Sequence, residues 1–216
     1  MTDARQFYGR WARLYDALAR LPGVRSWRAA AVDELGLSPG DVVVEMGCGT
    51  GANLPHARRA VGPEGRVVGL DVTRAMLDRA RGRGDADLIL ADAARPPLAG
   101  PVDGLLATFV AGMFADPAAA VDGWCDLVRP GGRVALLHFA PSDRTWARPL
   151  NAAYRGFVWL SSTEKRRPSS VATGHRRRVD TAHDRLRERA DDYRERRLAG
   201  GYLRLASGRV NYSSVR

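Results

Sequence analysis

The chain has 216 residues, 45% of them hydrophobic, which is enough for one sizeable core and too few for two. No apolar run reaches the roughly 20 residues of a membrane span. The N-terminus mixes charge throughout and lacks the apolar stretch of a signal peptide, and Cys48 and Cys125 fit no metal spacing, so a reduced, cytoplasmic protein is expected. The formal charge is +10, and all of it is local: residues 1–140 hold 16 basic and 16 acidic groups, whereas 141–216 hold 18 and 8.

Phe7, Trp11, Leu14, Tyr15 and Leu18 recur at helical spacing, which predicts an amphipathic helix over 4–20, broken at "LPG". A second helix is predicted over 25–36. The apolar run "DVVVEM" (41–46) then has the character of a buried parallel strand. Beyond it the pattern alternates: helix 52–61, strand 65–71, helix 73–83 capped by Thr73, strands 86–92 and 102–110, helix 116–128 capped by Asp116, and strand 130–140. Such alternation means an α/β fold with a mostly parallel sheet, whose ligands sit at the carboxyl ends of the strands. Residues 148–160 read as a helix, 161–178 as an exposed basic loop, 180–190 as helical, and 192–210 as a hairpin turning at Gly200-Gly201.

The segment "VVVEMGCGTGANL" follows the first strand and can be parsed in two ways. Gly47, Gly49 and Ala52 fit a dinucleotide fingerprint, whereas Glu45, Gly47, Gly49 and Gly51 fit a loop for a different nucleoside. Glu45 favours the second parse, because a carboxylate there suits a cationic amino-acid group better than a pyrophosphate. Asp71, at the end of the second strand, can accept from ribose hydroxyls, and Asp92, at the end of the third, from an adenine amine.

"EMGCGTG", "GLDVTRAMLDRA", "ADAARPPL", "VDGLLATF" and "LVRPGGRVALLHF" resemble, in order and spacing, the successive motifs of class I S-adenosylmethionine-dependent methyltransferases. "LAGGYLRLASGRV" is similar to the last two strands of the ubiquinone/menaquinone-biosynthesis C-methyltransferases. "YGRWARLYDALAR" resembles the N-terminal helix of that branch and of phospholipid N-methyltransferases. The resemblance implies a Rossmann-like seven-stranded sheet, five parallel strands plus a C-terminal antiparallel hairpin, with helices on both faces and an N-terminal helical cap. It implies one methyltransferase domain over 1–216: a cap (1–38), a cofactor-binding core (39–140) and substrate-side helices, basic loop and hairpin (141–216). It also implies that S-adenosyl-L-methionine is held by backbone near Gly47 and Gly49, with Asp71 on the ribose and Val72 beside the adenine. Asp92 would reach the adenine amine, the Ala93 backbone a ring nitrogen, and Thr108 and Phe109 would lie near the sulfonium. Tyr15 would close over the pocket.

Methyl transfer from a sulfonium is an in-line displacement that needs alignment and exclusion of water. A phenol-like acceptor also needs a base, for which His138 near the end of the fifth strand is the candidate, set against a purely structural histidine. Tyr8, Trp11 and Tyr15 could form an aromatic lid or be plain packing; His56 reads as surface and Cys48 as a small filler. The Asp/Asn-Pro-Pro-aromatic motif of amino-methylating nucleic-acid enzymes, the paired glutamates of protein arginine methyltransferases and clustered acids that would hold Mg²⁺ for a catechol are missing, which leaves a small-molecule or lipid-like acceptor. For the Arg-rich third, solvated faces rank first, contact with an anionic membrane second and nucleic acid last. A nicotinamide-dependent reductase and a non-catalytic binding protein on the same fold are the competing functions.

Overall fold

A run of β-branched residues opens the first strand, β1 (Val42–Met46), four of whose five residues are buried. The structure, a computed structural model, describes residues 22–142, 151 and 168–211. The other strands are β2 (Arg66–Asp71), β3 (Asp87–Leu90), β4 (Val102–Thr108), β5 (Val128–Phe139), β6 (Ala190–Leu198) and β7 (Leu203–Val210). Helices α1 (Pro22–Asp33), α2 (Leu54–Val61), α3 (Arg74–Ala80), α4 (Pro117–Leu127) and α5 (Pro168–Arg189), with short 3-10 turns at Ala111–Met113 and Ala199–Gly201, complete the described elements.

The strands form one sheet in the order β3-β2-β1-β4-β5-β7-β6. β1 to β5 pair in parallel, and β7 lies antiparallel between β5 and β6. This is the seven-stranded sheet with an inserted antiparallel strand that the motif order implies. The chain runs outward from β1 to β3 and returns on the other side of β1 as β4. The switch point therefore falls between β1 and β4, where their carboxyl ends open a crevice.

Strand periodicity sorts the core into two layers. Val44 and Met46 pack with Trp124 of α4 and Leu186 of α5, whereas Val43 packs with Val32 of α1, Leu54 of α2 and Leu77 of α3. Glu45 shares the parity of Val43, so its carboxylate enters the α1–α2 layer. His138 shares the parity of Leu136, so its ring enters the α4–α5 layer.

Several sequence expectations need adjustment. The stretch 168–178, expected as loop, is the first half of α5. Its buried positions include Ala172, Val179, Ala182, His183 and Leu186, spaced for one helix face but built from small residues and a histidine, so the stripe does not read as apolar. β3 ends at Leu90, which leaves Asp92 in the following turn rather than on the strand. The expected helices over 4–20 and 148–160 fall outside the described residues, Asn151 apart, as do 161–167.

Much of the basic excess is used internally. Arg185 and Arg189 each reach Asp122 at 2.7 Å, and Arg189 reaches Asp126 at 2.6 Å, tying α5 to α4. Arg196 pairs with Glu34 at 2.9 Å. Among the described residues no helix is long and apolar enough to cross a membrane.

Candidate cofactor site

The site begins where β1 stops. Gly47, Gly49 and Gly51 all adopt positive φ, at 68°, 55° and 76°, a region open to glycine at little cost. Gly47 also lacks room for a side chain: a Cβ would stand 2.7 Å from a methyl of Val110. The glycine loop thus packs directly against the turn that follows β4.

Asp71, at the end of β2, braces this loop. Its Oδ2 accepts from the Gly49 amide at 2.9 Å and its Oδ1 from the Thr73 amide at 2.8 Å. Burial raises its pKa, and the two backbone donors oppose that rise. Val72 lies beside it, half-buried. Asp92 accepts the Ala94 amide at 2.9 Å, while the carbonyl of buried Ala93 accepts from the Trp124 indole at 2.7 Å.

Glu45 is 3% exposed. Asn53 Nδ2 donates to its Oε1 and, at 3.0 Å, to Thr108 Oγ1, while the Thr108 hydroxyl stands 3.4 Å from the same Glu45 oxygen. Arg28 of α1 donates to Asn53 Oδ1 at 3.1 Å. Burial pushes the Glu45 carboxyl up to about 7, against the pull of Asn53 and Arg28. Its second oxygen, Oε2, is buried without a hydrogen-bond partner among the described residues. A buried acid with one oxygen unsatisfied is suited to receive a cationic donor, and the ammonium of a methionine moiety is such a donor.

Phe109, next to Thr108, holds φ at +62°, a strained position for a bulky side chain that costs on the order of 1–3 kcal/mol. Its ring stacks on Phe139 with centroids 4.4 Å apart, and the Arg28 guanidinium lies 5.2 Å above it.

The structure brings together Glu45, Gly47, Gly49, Gly51, Asp71 and Thr108 among the sequence candidates. His138 is not in this cluster. It is 1% exposed, on the opposite face of the sheet, with its Nε2 accepting from the Ala111 amide at 3.2 Å. Tyr15, Tyr8 and Trp11 lie outside the described residues. His56 is half-buried beside Arg59, and Cys48 is a buried thiol whose pKa burial raises. Sequence reasoning missed Arg28 and Asn53. Asn53 just before a helix reads as an ordinary N-cap, yet it makes no cap bond, and Arg28 reads as a surface residue of an amphipathic helix.

A mixed sheet of this order, with a glycine loop at the switch point and acids near the ends of successive strands, defines a nucleoside-binding α/β protein of the class I methyltransferase type. Residues 43–132 match the family model described as a methyltransferase domain. The chain is 36% identical to the nocamycin O-methyltransferase of Saccharothrix syringae, over 65% of this chain and 53% of that protein. It is 31% identical to the ubiquinone/menaquinone biosynthesis C-methyltransferase of Syntrophotalea carbinolica, over 72% of this chain and 69% of that one. The fold resembles a methyltransferase structure from Thermotoga maritima, described as a possible histamine N-methyltransferase, with TM-score 0.66, 15% identity and coverage of 95% and 99%. The chain belongs to the class I S-adenosylmethionine-dependent methyltransferases, and its cofactor is S-adenosylmethionine. It spans 36%, 53% and 66% of the length of the first three curated relatives it matches.

Proposed function

We propose that this chain transfers the methyl group of S-adenosylmethionine to a small or lipophilic acceptor, a quinone-type ring carbon or a lipid amine. One observation carries the cofactor half of this reading: the Glu45 carboxylate is buried near the end of β1, just before the glycine loop, with Oε2 unpartnered among the described residues. In this reading Glu45 receives the ammonium of the methionine portion and backbone near Gly47 and Gly49 follows its chain. Asp71 takes the ribose hydroxyls, Val72 flanks the adenine, and Asp92 and the Ala93 backbone read its edge. Thr108 and Phe109 stand at the reacting methyl. Residues 39–140 form the cofactor core.

The acceptor half is supported by the names of the relatives, which include quinone and natural-product methyltransferases. The bound cofactor supplies an electrophilic methyl. The protein aligns it with the acceptor and excludes water, which together supply several kcal/mol. Contact with an anionic membrane is the finer reading of the basic third. It rests on the excess of 18 basic over 8 acidic groups in residues 141–216, and flotation with anionic vesicles checks it.

Incubation with methyl-labelled cofactor and a cell extract, fractionated into lipid, RNA, protein and small-molecule pools, tests the proposal. Label in the lipid or small-molecule pool is expected. Label confined to RNA or protein, or none with protein that binds S-adenosylhomocysteine, overturns it.

A further inference from the structure

Beneath the sheet face opposite Glu45 lies a row of buried polar groups that the cofactor site does not use. His138 of β5 accepts the Ala111 amide on Nε2 at 3.2 Å, and its Nδ1 lies 3.2 Å from Nε2 of His183 on α5. His183 Nδ1 in turn lies 3.7 Å from Glu195 Oε2 on β6. Both imidazoles are fully enclosed, at 1% and 0% exposure.

The proton positions follow from these contacts. Because Nε2 of His138 accepts, a neutral His138 carries its proton on Nδ1 and donates to His183 Nε2. A neutral His183 then carries its own proton on Nδ1, facing the Glu195 carboxylate. One more proton cannot be accommodated. If His138 gains it, Nε2–H meets the Ala111 N–H, donor against donor. If His183 gains it, its Nε2–H forces His138 Nδ1 to accept, and the His138 proton moves to Nε2 with the same result. Either way the Ala111 amide loses its acceptor.

Ala111 sits in the turn that touches the cofactor loop. Val110, one residue earlier, is the side chain that fills the space beside Gly47. The same turn is held from α5 by Arg178, whose Nε donates to the Gly112 carbonyl at 2.8 Å, and by His175 packed on Gly112.

We propose that His138 is a positioning residue: the His138–His183–Glu195 row latches the post-β4 turn, and through Val110 the glycine loop, and a single added proton releases the latch. This rests on the glycine loop holding the cofactor. The charged and titratable groups facing the row are His175 and Arg178 on α5, Asp180 and Arg187 also on α5, Tyr193 and Glu195 on β6, and Arg204 on β7. Arg204 Nε donates to Glu195 Oε1 at 3.0 Å, the Tyr193 hydroxyl donates to Oε2 at 2.8 Å, and Arg187 lies 3.7 Å from it. Burial lowers both histidine pKa values, His138 most, while Glu195 opposes the shift at His183. Glu195 is held well below the usual carboxylate range, first by His183 and then, against desolvation, by Arg204 and Tyr193, so it stays charged throughout the relevant range. Since the folded values lie below the unfolded value of about 6.5, the latch is complete above that pH and is lost as pH falls through the folded values.

The test uses the full chain, wild type, His138→Gln, the double variant His138→Gln/His183→Gln and His138→Leu, from about pH 8 down to the lowest pH at which each stays folded. Hydrogen exchange of the peptide spanning 109–113, corrected for intrinsic rate, reports the Ala111 bond. S-adenosylhomocysteine titration reports the loop. In the wild type, protection is expected to fall as pH drops through the folded histidine values, with cofactor affinity falling alongside it. Gln can accept from Ala111 and donate to His183 without titrating, so His138→Gln should keep its protection at acid pH where the added proton sits on His138, and only His138→Gln combined with His183→Gln should keep it where the proton sits on His183. The affinity of the variant that keeps its protection should then show only the acid dependence arising from Glu45, which all these proteins share. His138→Leu should lose protection at every pH; if it does not fold, the Gln variant and the histidine nitrogen shifts decide. Unchanged wild-type protection at acid pH, or a histidine spectrum with His138 protonated on Nε2 at about pH 8, overturns the latch. Absence of S-adenosylhomocysteine binding at every pH overturns the cofactor reading instead, and the exchange data still decide the latch.

Discussion

Arg28 donates to the side-chain carbonyl of Asn53 at 3.1 Å, joining α1 to the start of α2. That bond fixes which way the Asn53 amide points. With Oδ1 committed to Arg28, the NH2 group faces Glu45 and Thr108, so one fully buried side chain ties α1, β1 and β4 together.

Asn53→Ala should therefore cost about 2–3 kcal/mol, because Glu45 and Arg28 would each lose a buried partner at once. Urea unfolding should show a lower midpoint with an unchanged slope. Asn53→Asp should be worse at alkaline than at acid pH, since it sets a second carboxylate beside Glu45. Equal losses at both ends of the pH range would contradict the amide orientation.

Glu45 predicts a pH dependence for cofactor binding. With its carboxyl raised to about 7 by burial, the cofactor-free protein is about half protonated there at neutral pH. In the folded chain this group holds a proton that the unfolded chain has already released above about 4.5, so its contribution to stability is present at low pH and is lost as pH rises through about 7. An arriving ammonium requires the carboxylate. Binding of S-adenosylhomocysteine should thus release protons below pH 7, with affinity falling up to about tenfold per pH unit. Calorimetry in buffers of different ionisation heat measures the release. Glu45→Gln should abolish it and weaken binding by about 1.5–3 kcal/mol.

Gly47→Ala tests the contact between the loop and the turn. The φ of 68° and the 2.7 Å approach of Val110 both oppose a side chain. A loss of about 2–4 kcal/mol is expected, of which the conformational part is about 1–2 kcal/mol. Adding Val110→Ala should recover the steric part alone, so a double-mutant cycle should give a favourable coupling. Additive losses would mean that the two residues do not meet.

The sheet was legible because β-branched runs and glycine turns agree from residue 41 to residue 140; of the two expected caps, Asp116 accepts the Ala119 amide, whereas Thr73 makes no cap bond. The acids near the strand ends were legible for the same reason: position along a strand predicts which edge a residue reaches. What did not show was which face a side chain takes and what it meets there. His138 stands near the carboxyl end of β5, as expected, but strand parity turns it away from Glu45 and into α5. α5 itself was half hidden, because its buried face uses alanine and histidine where a hydrophobic pattern looks for leucine. Arg28 escaped notice because only the fold brings it, 25 residues ahead in the chain, over Asn53 and Phe109.

Asp71 has two duties, and substitution can separate them. Its carboxylate holds the Gly49 and Thr73 amides at 2.9 and 2.8 Å, and in the proposed function the same group takes the ribose hydroxyls. Asp71→Ala removes both, and should weaken S-adenosylhomocysteine binding by about tenfold to a hundredfold while lowering stability by about 1–3 kcal/mol. Asp71→Asn keeps one acceptor oxygen but sets an NH2 group against one of the two amides. It should lose as much loop stability as alanine, because a donor facing a donor is at least as costly as no partner. If its oxygen turns to Thr73, the loop amide of Gly49 is the one left exposed, and hydrogen exchange of residues 47–51 should rise. Loss of stability without loss of affinity would leave Asp71 a brace of the loop and remove it from the ribose.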